Sequence, residues 1–251
     1  MAKQRHLTKA PIAEAVVDIR ASLPQQFDMA ELRRLPDEVA GNFQSPEIMK
    51  GFVGSFEFGK ELEQPRSQAI DKGIVGYAYK SIDSTKVLQL RNNGFTLNKL
   101  KPYEDWSKLR DEARQLWNMY RNKTHPESIS RIALRYINHL NIPHSGDQLN
   151  FDEFLTAAPQ VPHELPQAVL SFLYRVVLPD PTAGAVAIIN QALESVVDPK
   201  VVPIILDIDA FIQGNIEPDG DDIWSAFEKL HVFKNDVFFS YITEKTAELY
   251  E

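Results

Sequence analysis

The chain of 251 residues contains no cysteine. That absence removes disulfide frameworks, thiolate catalysis and Cys-ligated zinc together, and it fits a reducing cytoplasm. Glycine is scarce, at 11 residues, and Gly214 and Gly220 lack the spacing of a phosphate-binding loop. No dinucleotide or nucleotide fingerprint, His-Glu-x-x-His helix or Gly-x-Ser-x-Gly elbow occurs, and the six histidines include no pair at metal-ligand spacing. No cofactor is therefore expected. Long apolar runs are missing too: none reaches the roughly 18 residues of a membrane span. Behind the basic start Met1–His6 there is no apolar stretch of the kind a signal peptide needs. A soluble, cytoplasmic protein with no membrane partner is the expectation.

Basic charge is what the second part of the chain lacks. Residues 144–251 carry 18 acidic and 5 basic side chains, whereas residues 1–143 carry 17 acidic and 22 basic ones, within a net charge of −8. A protein whose whole surface grips nucleic acid is excluded by that total. A basic first half can still meet an acidic partner or a phosphate, with a chance imbalance of surface charge as the plain alternative.

What is present is strong periodicity. Ala15, Val17 and Ile19 alternate with Val16, Asp18 and Arg20, which predicts a strand. Asp28 and Glu31 form a capping pair before Met29–Leu35. Three strands are predicted at Gly54–Gly59, Ile74–Tyr79 and Lys86–Arg91. Asn92-Asn93-Gly94 then signals a hairpin that returns through Phe95–Asn98. Trp106, Leu109, Ala113, Leu116, Trp117 and Tyr120 recur at helical spacing.

The outline then repeats. A long strand is predicted over Ile129–Ile142, a short helix over Phe151–Ala157, and a Pro-rich crossing over Pro159–Pro166. Strands follow at Ala168–Leu178, Ala185–Ala192 and Val201–Ile212. A closing helix carries Ile223, Trp224, Phe227, Leu230, Phe238, Tyr241 and Ile242 on its buried stripe. The expected fold is α+β: two similar strand-helix-strands-helix halves, 1–126 and 127–251, in one compact unit. Their antiparallel sheets would pair, with the long helices packed on one face.

Candidate chemistry is sparse. Arg131, Arg135 and His139 are spaced four apart on one predicted strand, so they share a face. Neighbours in that row stand about 13 Å apart, which suits an extended anion or a partner surface better than a single phosphate. The plain alternative is a row of solvated cations pairing with nearby carboxylates. Asp207 and Asp209 share a face of another strand, where paired carboxylates can hold a divalent cation or divide acid and base roles. Ordinary half-buried alternation explains them equally well. The acidic loop Glu217–Asp222 lacks EF-hand spacing and reads as a turn that brings negative charge to the closing helix. His231, on an aromatic helix, reads as a packed residue.

The opening Leu7–Arg20, the central Arg135-Tyr136-Ile137-Asn138 and the closing Leu230-His231 to Thr243 pattern resemble a sporadically distributed family of uncharacterised bacterial proteins of similar length. The resemblance covers essentially the whole chain. It implies no catalytic residues; its patchy distribution points toward toxin neutralisation, phage defence or host regulation. Three functions remain open. First stands a binding protein that acts by contact with a protein partner, with homo-oligomers also allowed. Second is nucleic-acid or nucleotide binding on the basic half and the Arg131, Arg135, His139 row. Third is an enzyme built on Asp207 and Asp209.

Overall fold

Alternation over Ile12–Ser22 builds strand β1, which buries Ala15, Val17, Ile19 and Ala21 on one face. The structure, a computed structural model, describes residues 1–57, 66–144, 149–220 and 222–251. After β1 a 3-10 turn at Met29–Arg33 is capped by the Asp28 carboxylate, which accepts from the Ala30 amide. A one-turn helix, α1, follows at Asp37–Ala40. Strands β2 (Glu47–Glu57), β3 (Arg66–Lys80), β4 (Lys86–Arg91) and β5 (Gly94–Leu100) complete the first set. The end of the predicted strand Gly54–Gly59, beyond Glu57, lies outside the described residues.

Arg91 pairs with Gly94, so the β4–β5 loop is the two residues Asn92 and Asn93. Gly94 itself opens β5 at φ 141°, where a Cβ would come within 2.1 Å of the Ile19 carbonyl of β1. Helix α2 (Trp106–Thr124) starts at Asp105, whose side chain accepts from the Lys108 amide. It buries the predicted stripe, and Trp117 and Tyr120 pack on Phe95 of β5.

Strand β6 (Ser128–Pro143) leads to β7 (Leu173–Asp180), β8 (Ala185–Leu193) and β9 (Val201–Ile216). Helices α3 (Asp222–Tyr241) and α4 (Glu244–Glu248) close the chain. The short helix expected over Phe151–Ala157 is a three-residue 3-10 turn, Phe151–Glu153, because Leu155 leaves it to bridge Ile242. The closing helix is likewise interrupted at Ile242–Thr243, where the Thr243 hydroxyl oxygen caps α4 by accepting from the Thr246 amide.

The expected fold class is overturned. Among the described residues, the nine strands form one continuous antiparallel sheet in the order β2-β3-β4-β5-β1-β6-β9-β8-β7. Strand makes up 41% of the described residues and helix 24%, so one sheet dominates in place of two paired sheets under packed long helices. The reason lies in the first strands. Each would leave a row of unpaired amides and carbonyls if its own set closed alone. Instead β1 and β6 pair with each other from Ile12↔Asn138 to Ser22↔Ser128 and weld all nine into one sheet. Outward from that seam the order is β5-β4-β3-β2 on one side and β9-β8-β7 on the other.

Two apolar clusters lie along the sheet. One gathers Val17, Ile19, Phe95, Trp117, Leu134 and Phe227; the other gathers Leu140, Ile189, Ile204, Leu206, Phe238 and Ile242. The N-terminal segment is tied across the second. The Ala2 amide donates to the carbonyls of Phe239 and Ile242, and Arg5 pairs with Glu244 and Glu251. Among the described residues, no helix is long and apolar enough to cross a membrane.

Candidate functional site

On strands the side chains alternate between faces, so the positions between the buried ones must project to the other side of the sheet. On β1 these include Asp18 and Arg20, on β4 Arg91, on β5 Thr96, on β6 Arg131 and Arg135, and on β9 Asp207 and Asp209. The sheet brings them together into a polar band. Asp18 accepts from Arg91 at 2.7 Å, from the Thr96 hydroxyl at 2.7 Å, from Arg20 at 3.0 Å and from Arg131 at 3.4 Å. Arg131 lies over the Phe211 ring, 4.4 Å from its centre, and donates to both carboxylate oxygens of Asp209 at 2.9 and 2.7 Å. Arg135 holds Asp207 through Nε and Nη2 at 2.7 and 2.8 Å. Asn190 of β8 donates to the same Asp207 at 3.1 Å and accepts from Arg175 of β7 at 3.0 Å.

Burial and charge compete in this band. Burial raises the Asp18 carboxyl, but the Thr96 hydroxyl and the Arg91 and Arg20 guanidinium groups outweigh it and hold its pKa below the usual value. Burial wins at Asp209, whose pKa is raised despite Arg131. The Asp207 hydrogen bonds raise Arg135 further.

The sequence candidates thus meet each other. Arg131 and Arg135 do share a face, yet each guanidinium is engaged by a carboxylate of β9. Asp207 and Asp209 share a face too, each held by an arginine. No group of three metal-ligating side chains occurs among the described residues. His139 stands apart from the band, with Nδ1 3.5 Å from Glu194. Asp18, Arg20 and Arg91 were missed as site residues. Their signal was present in the polar positions of β1 and β4, but only pairing of β1 with both β5 and β6 makes them neighbours.

A second polar feature sits on the helix side of the sheet. Where the two apolar clusters meet, a cavity of about 620 Å³ opens between residues 4–12, the segment before α2, and α3. Lys234 of α3 lines it and is 6% exposed. Its ammonium lies 3.8 Å from the centre of the Tyr136 ring and donates to Asn235 Oδ1 at 2.6 Å. Burial alone pulls its pKa down to about 7. The Tyr136 hydroxyl shares a 2.8 Å hydrogen bond with Tyr103. His231 also lines the cavity, stacked on Trp106 with ring centres 5.0 Å apart, and burial first, then Lys234, lowers its pKa to about 4. Sequence reasoning read His231 as packed and passed over Lys234. The signal for Lys234 was its spacing: it falls four residues after Leu230 and four before Phe238, on the buried stripe itself.

No protein-family model and no curated protein matches the chain.

Proposed function

We propose that the protein acts by contact with a protein partner, which adds to the free edge of the sheet at β7. One observation carries this: β7 is an edge strand with apolar side chains exposed on both of its faces. Leu173 and Val177 are 76% and 55% exposed on the face of the polar band, and Tyr174 and Leu178 are 49% and 38% exposed on the other. Natural edges are blunted by charge, proline or a covering element. Here Arg175 is the lone charge between Leu173 and Leu178, with Pro179 and Asp180 closing the strand. A partner strand would satisfy the free amides and carbonyls, and its alternate side chains would meet both apolar rows. Resemblance to the sporadically distributed bacterial family adds a setting of defence or toxin neutralisation.

Nucleic-acid binding on the arginine row has less support. Arg131 and Arg135 would have to leave Asp209 and Asp207, and each exchange forfeits a charge-assisted pair. The decisive experiment is capture with the tagged chain, followed by hydrogen exchange on the complex. A stoichiometric protein that protects the amides of Leu173–Leu178, and that Val177→Lys no longer captures, is the expected result. Salt-labile nucleic acid in place of a protein, or a partner indifferent to Val177→Lys, overturns it.

A further inference from the structure

A buried ammonium without a counter-charge is costly, so folds either pair such a group or do without it. Lys234 is buried, and no carboxylate pairs with it among the described residues. Of its three donors one is used by Asn235 and the Tyr136 ring offers a second only a π face. The carboxylates around the cavity are committed elsewhere. Glu104 is bound by Lys108, Asp105 accepts from Ser107 and the Lys108 amide, and Asp236 accepts from Gln4. Across α3, Glu228 is held by Arg110 and the Trp106 indole. Among the described residues the Tyr136 ring and Asn235 are the partners shown for this cation, and neither carries a negative charge.

The space beside it has the size of a small-molecule site. About 620 Å³ is far more than one inorganic ion fills and lies within the range of ligand pockets. Its wall is mixed: Trp106, Phe238 and Phe239 form an aromatic patch beside Lys234, and Asn138, Asn235 and the carboxylates Glu104 and Asp105 are among its polar groups. The other cation on the wall is already neutralised, since Arg5 pairs with Glu244 and Glu251. One unmatched positive charge beside an aromatic patch suits a monoanion with an apolar body, since Glu104 and Asp105 of the wall are already engaged by Lys108 and Ser107. A phosphate dianion would call for more donors than the single lysine supplies.

We propose that this cavity binds a small monocarboxylate, its carboxylate paired with Lys234 Nζ and its apolar body against Trp106 and Phe238. An incoming carboxylate favours the charged form of the lysine and so offsets the effect of burial. The site is separate from the β7 edge, so each stands or falls alone.

Titration calorimetry on the full chain with benzoate, phenylacetate and indole-3-acetate tests it, with phenylacetamide as the neutral isostere. Phenylacetate is expected to bind about tenfold to a hundredfold more tightly than phenylacetamide. Lys234→Met should abolish that difference while keeping the wild-type circular dichroism, because an apolar chain of similar length fills the same space. Equal binding of acid and amide overturns the proposal. So does failure of all three acids to bind at about 10 mM, or unchanged acid binding in Lys234→Met. Should Lys234→Met fail to fold, the acid-to-amide comparison on the wild-type chain decides alone.

Discussion

Arg135 of β6 grips Asp207 of β9 diagonally, reaching past the register partner Asp209 to make two hydrogen bonds of 2.7 and 2.8 Å. The carboxylate side chain is 9% exposed and the guanidinium side chain 45%. Half of the pair is therefore buried, and its loss exposes a mismatch that a surface ion pair would not.

From the sequence, Arg135→Glu looks silent for the fold, since the position reads as exposed. The structure changes that expectation. Arg135→Glu sets a third carboxylate beside Asp207 and Asp209 and should destabilise by about 2 kcal/mol. Arg135→Met with Asp207→Asn should recover much of the loss, because neither partner is then left charged alone. Urea unfolding of the two singles and the double gives the coupling directly, and zero coupling would remove the bridge as a stabilising contact.

Asp18 is the anchor for three arginines, and Arg91 beside it is only 14% exposed at its side chain. Asp18→Asn should cost about 3 kcal/mol by leaving Arg91 without its counter-charge. The pH sign follows from the lowered carboxyl. Its contribution is complete above the ordinary carboxylate range and is lost as pH falls through the depressed folded value. Wild-type stability should therefore fall in acid by more than that of Asp18→Asn. Parallel acid titrations of the two proteins, followed by tryptophan fluorescence, would contradict this.

Lys234 carries the opposite pH signature. Folded, its amine titrates at about 7, while an unfolded lysine holds its proton to about 10.4. Between those values the unfolded chain binds the extra proton, so stability rises with pH. Above about 10 the sign reverses, since buried tyrosines such as Tyr103, raised to about 12 mainly by burial, keep their protons in the folded state. Lys234→Met should be the more stable protein at neutrality by about 1 to 2 kcal/mol, and its advantage should shrink toward about pH 9. Denaturant midpoints at the two pH values check this; a gap that stays constant would mean the amine is not titrating there.

Gly94→Ala tests the β5–β1 seam. The backbone sits at φ 141°, and the added Cβ would meet the Ile19 carbonyl at 2.1 Å. Strain and displacement of β1 together should cost about 2 to 4 kcal/mol. Alanine at Gly184, also at positive φ (62°) but with nothing within 4 Å, should cost clearly less. Thermal unfolding of both variants provides the comparison, and equal losses would show that the close approach contributes nothing beyond φ.

Most strands and both long helices were legible because their signals are local. Ile132, Leu134 and Tyr136 share a face by alternation alone, and Leu109, Ala113 and Tyr120 share a stripe by helical spacing. Phe151–Ala157 misled because a helix-like composition was cut short by the distant pairing of Leu155 with Ile242. Arg135 and Asp207 were both visible as polar positions, but they lie 72 residues apart, and their union depends on the β6–β9 register.

By itself, the sequence determined which residues alternate, which recur every three or four positions, and that it contains no cysteine and no nucleotide-loop motif. These are properties of neighbours along the chain. Tertiary structure alone decided that β1 and β6 join two sets of strands into one sheet, because free edges are satisfied by whichever complementary edge comes to lie beside them. The same packing turned the arginine row and the aspartate pair into mutual partners and left Lys234 buried beside a cavity. Electrostatic partners act through space, and their distances exist only once the chain has folded.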